Sequence, residues 1–383
     1  MPDSTPNPAA PIEFIDLGAQ RRRIGARMDD AILRVVNHGK YIMGPEVGEL
    51  ERKLAEFCGV KHCIGVANGT DALLMALMAR GVKSGDAVLV PAFTFAATAE
   101  PVVLLGATPI FVDVLEDSFN IDPAGLEAGV ATAKRLGLKP VAVITVDLFG
   151  QPADYDRIEP LLAKHGLWLL ADAAQSFGAS YRGRKVGKIG DIATTSFFPA
   201  KPLGCYGDGG AVFTDDDDIA AILRSLRMHG QGTDKYDNAR IGVNGRLDTI
   251  QAAVLLEKLA IFPDEIVARD RVAERYGGAL AEVAAVPRLI EGASSVWAQY
   301  TLRLGEHDRD AVAAKLKAAG IPTAIYYPRS LHRQPAYRDF PVAGNGAPVS
   351  ERLAREVLSM PMHAYLDEAA QERICDALRA AVA

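Results

Sequence analysis

One lysine, Lys201, stands in the run SFFPAKPLGCYGDGGAVFT, between Pro199 and Pro202 and ahead of Gly204, Gly207, Gly209 and Gly210. An ammonium is costly in an apolar setting and tends to lose its proton there. The neutral amine is a nucleophile that can form a Schiff base with a carbonyl. The prolines exclude regular structure around the lysine, and the glycines permit tight turns that bring backbone close to a bound group. A solvated loop lysine would satisfy the same local pattern.

Two other stretches supply what such an amine would work beside. In WLLADAAQS, Asp172 follows four apolar residues, with Gln175 three residues later. A carboxylate at the tip of a buried strand stays ionised only with a cationic or hydrogen-bonding partner, and a protonated pyridine nitrogen is one such partner. An Asp that merely caps the next turn is the plainer reading. In VANGTDALLMAL, Asn68, Gly69 and Thr70 lie between a strand and a helix. The free amides and dipole of a helix N-terminus favour an anion, most naturally a phosphate, although Asn68 or Thr70 could simply cap the helix. A phosphate cradle, an acid for a ring nitrogen and a lysine for an aldehyde are together the contacts that pyridoxal 5′-phosphate demands. Phe95, in PAFTFAATAE, offers a ring to stack on it, or a core residue.

These residues need elements to hold them. From about residue 60 to 215, the runs HCIGVA, AVLVPAF, TPIFVDV, VAVITVDLF, LWLLADAA, ATTSFF and GAVFTD alternate with several helical patterns. Continuous apolar character predicts strands covered on both faces, as in a largely parallel α/β sheet. Ligands collect at the carboxyl ends of such strands. A helix is predicted at LDTIQAAVLLEKLAIF, with Pro263 just past its end. Beyond it, EIVARDRVAERYGGALAEV, YTLRL, RDAVAAKLKAAG and SERLAREVLS predict a helix, a strand and two helices. The expected organisation is a tail over 1–11, a large domain over 12–263 and a smaller α/β domain over 264–383.

Composition narrows the partners. With 49% hydrophobic and 23% charged residues the chain reads as an ordinary globular protein, and its net charge of −6 gives no reason to expect nucleic acid or an anionic membrane. Small molecules are the expected ligands. No apolar run is long enough to span a bilayer, and the proline-rich start lacks the regions of a signal peptide. Cys58, Cys63, Cys205 and Cys375 form no CxxC pair, so a reduced, cytoplasmic protein without a structural metal is expected. Asp215 to Asp218 reads as a solvated turn capping the next helix.

The order NGTDAL, FTFAAT, DAAQSFGA, SFFPAKPLGCYGDGG and NGRLDTIQAA, from about residue 12 to the C-terminus, resembles the DegT/DnrJ/EryC1/StrS family of pyridoxal-phosphate-dependent sugar aminotransferases. The resemblance implies the fold type I, aspartate aminotransferase-like architecture. It implies Lys201 as the lysine joined to the cofactor and Asp172 as the partner of its ring nitrogen. Gln175 would meet the ring hydroxyl, Gly69, Thr70 and Ser196 the phosphate, and Phe95 the ring face. Asn244 would reach the phosphate from the second subunit of a homodimer, with Arg246 near a negative group of the substrate. Gly245 departs from the Ser or Tyr more often found between them. YYPRSLHRQPAY and SMPMHAYL resemble motifs that face the sugar nucleotide, which makes Tyr327, His332 and His363 candidate substrate contacts. Within the family the likeness is strongest to aminotransferases acting on a UDP-linked 3-keto uronic acid, with glutamate as the implied donor and surface polysaccharide as the implied destination. A TDP- or UDP-linked 4-keto sugar is the alternative substrate. A branch of the family with histidine in place of the lysine performs dehydration or deoxygenation, and this chain keeps Lys201. A Rossmann-type oxidoreductase would share the strand and helix alternation, but no GxGxxG turn follows the first strand. A regulator that binds the same ligands without turnover would keep the same residues.

Overall fold

The computed structural model describes residues 11–234 and 236–383, so the expected N-terminal tail lies outside the described residues but for Pro11. The seven apolar runs form the strands β1 (His62–Val66), β2 (Asp86–Pro91), β3 (Thr108–Val112), β4 (Lys139–Val146), β5 (Trp168–Asp172), β8 (Ile192–Ser196) and β9 (Gly210–Thr214), with a short hairpin of β6 (Ser180–Tyr181) and β7 (Arg184–Lys185) between β5 and β8. They make one sheet in the order β1-β9-β8-β5-β4-β2-β3. Only β9 runs against the others.

Apolar character is continuous along these strands because both faces are covered. In β2, Ala87 and Leu89 point into one core with Val143 of β4 and Leu169 of β5, while Val88 and Val90 point into another with Ile144 and Leu170. The first core is closed by the helices Ala26–His38, Pro45–Cys58 and Pro123–Arg135, the second by Gly69–Ala79 and Asp217–Leu226. Asp216 caps the last of these by accepting from the amides of Asp218 and Ile219. Asp215 accepts from the Lys61 amide and pairs with Lys188.

A third core lies in the C-terminal part, on the antiparallel pair β10 (Tyr300–Arg303) and β11 (Val357–Met360). The stretch SERLAREVLS is not wholly helical: the helix Pro348–Glu356 ends and Val357 opens β11, whose β-branched and aliphatic residues pair with β10. Pro263 stands past the end of the helix Thr249–Leu259 and occupies the first turn of the next one, Phe262–Leu280. Proline suits that position, where its missing N–H would have had no partner.

This helix crosses residue 263, where the sequence suggested a boundary. Phe262 belongs to the first core, and Val272, Ala273, Tyr276 and Leu280 belong to the third. Phe177 fixes its start, stacking on Phe262 at 6.1 Å and on Phe213 of β9 at 5.7 Å. Ile12 reaches the third core from the other end of the chain.

The antiparallel strand β9 begins where the parallel strands end, and Gly210 makes that junction possible. A Cβ there would lie 2.5 Å from the Asn68 carbonyl oxygen and 2.9 Å from that of Thr195. Backbone on both sides leaves no flexible atom to give way, so Gly210→Ala is expected to lose about 1–3 kcal/mol by overpacking. Urea unfolding of the two proteins measures this, and equal midpoints would contradict the close approach.

Candidate functional site

The carboxyl ends of β1, β2, β5 and β8 open on a single cavity of about 680 Å³. Its wall includes Gly69, Thr70, Phe95, Asp172, Gln175, Ser196, Lys201 and Tyr327. Residues 258 positions apart in sequence thus meet because parallel strands end on one edge.

The helix Gly69–Ala79 starts directly from β1, and Asn68 caps it, its side chain accepting from the Asp71 amide at 2.7 Å. This cap leaves the amides of Gly69 and Thr70 as helical donors without an acceptor in the helix. Ser196, at the end of β8, closes the other side: a Cβ on Gly69 would stand 2.7 Å from the Ser196 Cβ. The missing side chain brings the free amides and the Ser196 hydroxyl flush, a concave set of donors fit for a phosphate. Capping and anion binding, open alternatives in sequence, are compatible here because different amides serve them.

Asp172 ends β5 between Val146 of β4 and Thr194 of β8. It is buried, and one carboxylate oxygen accepts from the Ala174 amide at 2.9 Å. Burial raises its pKa, opposed by that hydrogen bond and by the charge of Lys201. Lys201 lies in the loop between β8 and β9, its amide bonded to the Phe198 carbonyl at 2.8 Å. Burial lowers its pKa, while the charge of Asp172 raises it. Each group therefore steadies the ionised form of the other, and burial drives both toward neutrality.

Asp147, one residue past β4, occupies a comparable strand tip. Its carboxylate accepts from the Ala153 amide, the Tyr155 hydroxyl and the Ser176 hydroxyl at 2.9, 2.6 and 2.9 Å. Burial still pushes its pKa up to about 6. With its oxygens taken up internally it has little to offer a ligand, and the run TVDLFG carries no sign of that difference from WLLADAA.

Gln175 is fixed at both ends of its amide: Oε1 accepts from the Phe149 amide at 2.8 Å, and Nε2 donates to the Tyr327 hydroxyl at 3.2 Å. One N–H remains for a ligand. Phe95 is 58% exposed with its ring 6.2 Å from that of Tyr327. That exposure of a large apolar ring in a cavity wall suits stacking better than the core role.

The remaining candidates stand elsewhere. Asn244 is exposed and bridged through its backbone to Met228, and Arg246 bridges Val66 of the edge strand β1, neither of them on the cavity wall described here. Gly245 has a local cause, since a Cβ would lie 2.9 Å from the Met75 sulfur. His332 is buried away from the cavity, with Nε2 3.1 Å from Glu351 Oε1 and its ring against Phe111. His363 lies in a separate small void that shares only Lys201 with the large one. Sequence reading passed over Tyr326, Gln299, Thr94, Thr98, Phe198 and Asp208, which also line the cavity. Tyr326 was reachable, as the neighbour of Tyr327; Gln299 lies before β10 in a segment with no motif, and only the tertiary fold delivers it.

Among the described residues no cluster of His, Cys, Asp and Glu suits a metal, and the four cysteines are unpaired and buried. Among the described residues no helix is long and apolar enough to cross a membrane.

The chain is similar to known proteins along nearly its whole length. The model of the DegT/DnrJ/EryC1/StrS aminotransferase family matches residues 22–379. UDP-2-acetamido-2-deoxy-3-oxo-D-glucuronate aminotransferase of Pseudomonas aeruginosa is 50% identical over 96% of this chain and 99% of its own. A crystal structure of a DegT DnrJ EryC1 StrS aminotransferase from Brucella abortus superposes with a TM-score of 0.94 at 55% identity, over 96% of this chain and 99% of that one. DesV of S. venezuelae, solved in complex with a ketimine intermediate, superposes with a TM-score of 0.92 at 38% identity, over 97% and 98% of the two chains. A match that begins before the first strand and ends in the last helix leaves one conclusion: the chain belongs to the DegT/DnrJ/EryC1/StrS aminotransferase family.

Proposed function

We propose that this protein moves an amino group from an amino acid, glutamate, to the 3-keto carbon of a nucleotide-linked sugar, UDP-2-acetamido-2-deoxy-3-oxo-glucuronate, with pyridoxal 5′-phosphate as cofactor. The observation that carries the reading is the meeting of Lys201, Asp172 and the Gly69, Thr70 and Ser196 cradle in one cavity. The likeness to the Pseudomonas aeruginosa enzyme supports the 3-keto uronic acid over the 4-keto alternative. Glutamate as donor and surface polysaccharide as destination rest on family resemblance.

The residues fit the cofactor. The amides beside Ser196 offer several donors to a phosphate, and Asp172 keeps lone pairs free for a ring N–H. A cavity of about 680 Å³ is in the range that takes a cofactor with part of a substrate. Pyridoxal phosphate supplies an aldehyde carbon and a ring that accepts an electron pair. Asp172, when ionised, would keep that ring's nitrogen protonated. Gln175, oriented by Phe149 and Tyr327, would meet the ring hydroxyl, and Phe95 would cover the ring face. Lys201 Nζ does the proton work: burial favours its neutral amine, which takes the donor's α-proton and afterwards gives a proton back. In the second half the same amine serves the keto sugar with the steps reversed.

Asn244 and Arg246 lie outside their own cavity wall, which supports a homodimer in which each subunit lends them to its partner's site. Ile241, 87% exposed on the same segment, is an apolar side chain of the kind a partner covers.

Lys201→Ala is expected to lose the visible absorbance band that pyridoxal phosphate gives on binding the native protein, and to slow amino transfer by about 10²–10⁴-fold. A variant that keeps both band and rate would sink the assignment. Asp172→Asn is expected to slow single-turnover proton removal by on the order of 10²-fold while changing cofactor affinity much less. Equal single-turnover rates would remove Asp172 from the chemistry. Mixing Lys201→Ala with Asn244→Ala protein should regain up to roughly a quarter of native sites if subunits share them; no regain would argue for self-contained sites. A protein that binds the cofactor without turnover would release no 2-oxoglutarate from glutamate.

A further inference from the structure

Lys201 also walls a second, much smaller void, on the side facing the third core. Gln20 comes to it from the N-terminal helix Leu17–Ile24, Glu265 and Arg269 from the helix Phe262–Leu280, and His363 from the segment after β11. The void offers about 10 Å³ to the centre of a water molecule, room for one.

Three of these side chains are more than nine-tenths buried, and each leaves one polar atom without a partner: Gln20 Oε1, Arg269 Nε and His363 Nδ1. Leaving a buried donor or acceptor unsatisfied is costly, so three around one void call for an explanation. Their hydrogen-bonding senses can be worked out. Gln20 Nε2 donates to both oxygens of Glu265 at 3.0 Å, and a carboxylate can only accept, so the amide is not flipped and Oε1 is a free acceptor. Burial together with the charge of Arg269 pushes the His363 pKa down to about 4, and Nδ1 is the ring nitrogen left without a partner. The ring is therefore neutral, and Nδ1 is an acceptor. Arg269 spends Nη1 on the Trp297 and Met362 carbonyls at 3.0 and 3.5 Å, leaving Nε–H as a free donor. Lys201 stands on the same wall, and its amine is a donor.

We propose that Gln20, Arg269, His363 and Lys201 hold one ordered water. It donates to Gln20 Oε1 and His363 Nδ1 and accepts from Arg269 Nε and Lys201 Nζ. Two acceptors and two donors are the complement of a single water. A carboxylate or phosphate would set its lone pairs against both acceptors beside Glu265, and a metal ion would meet the guanidinium. The water gives the lysine amine a fixed partner on the side of the third core, where Arg269 and His363 act on it as positioning residues. The water site rests on geometry; its use in positioning the amine rests on the aminotransferase reading.

The test uses the full-length, cofactor-free protein, so that its failure would leave the aminotransferase reading standing. A high-resolution crystal structure should show one water within hydrogen-bond distance of Arg269 Nε and His363 Nδ1. An empty void, or one filled by a rearranged side chain, overturns the proposal. Acetic anhydride labelling of Lys201, followed by peptide mass spectrometry at neutral pH, reads the lysine's part. His363→Leu removes an acceptor and hence the water that solvates the ammonium, so labelling should rise about threefold to tenfold, a shift of half to one pKa unit. Gln20→Met makes the same test should His363→Leu fail to fold. His363→Gln, whose amide oxygen can replace Nδ1, should restore native labelling. Unchanged labelling in both disrupting variants overturns the link to Lys201.

Discussion

A buried carboxylate and a desolvated amine that each favour the other's charge are what the rest of this structure is arranged around. Desolvation alone would neutralise both Asp172 and Lys201, and their mutual attraction opposes it. Such a balance is sensitive to distance, because the interaction between two charges in a shielded site changes steeply with separation. The two groups therefore hang from adjacent, hydrogen-bonded strands, with Asp172 paired directly to Thr194 of β8 and Lys201 five residues beyond the end of that strand. Sheet register, which a covered face on each side fixes firmly, becomes a positional constraint on the chemistry.

Much of this was legible in the chain. Each of the seven apolar runs became a strand of the main sheet, since burial on both faces leaves no polar alternation to blur them. Lys201, Asp172, Gln175 and Gly69 stood out because chemistry-bearing residues at strand tips interrupt apolar or glycine-rich runs. The same logic explains the ambiguity of Asp147. It follows directly on a strand, and only its three donors, brought from Ala153, Tyr155 and Ser176, show that it is a structural acceptor.

The less legible parts share a physical cause: tertiary contacts overrode local pattern. VLSM continued a helical periodicity, yet pairing with β10 made it a strand. His332 looked like a ligand-facing residue, and Glu351, nineteen positions away, holds it in a packed layer instead. Gln20, Arg269 and His363 carry no shared motif. They converge because the N-terminal helix, the long helix at Phe262 and the segment after β11 close on one another behind the Lys201 loop.

The helix Phe262–Leu280 is rooted at its start by ring stacking among Phe177, Phe213 and Phe262, and along its length by a different core. A continuous rod shared by two cores resists a swinging motion about a flexible joint. Any opening of the C-terminal part over the large cavity must then come as small sliding of packed side chains or a bend within the rod itself, the shear type of movement. Catalytic turnover would be coupled to the stiffness of one helix, and residues facing neither ligand could set its pace.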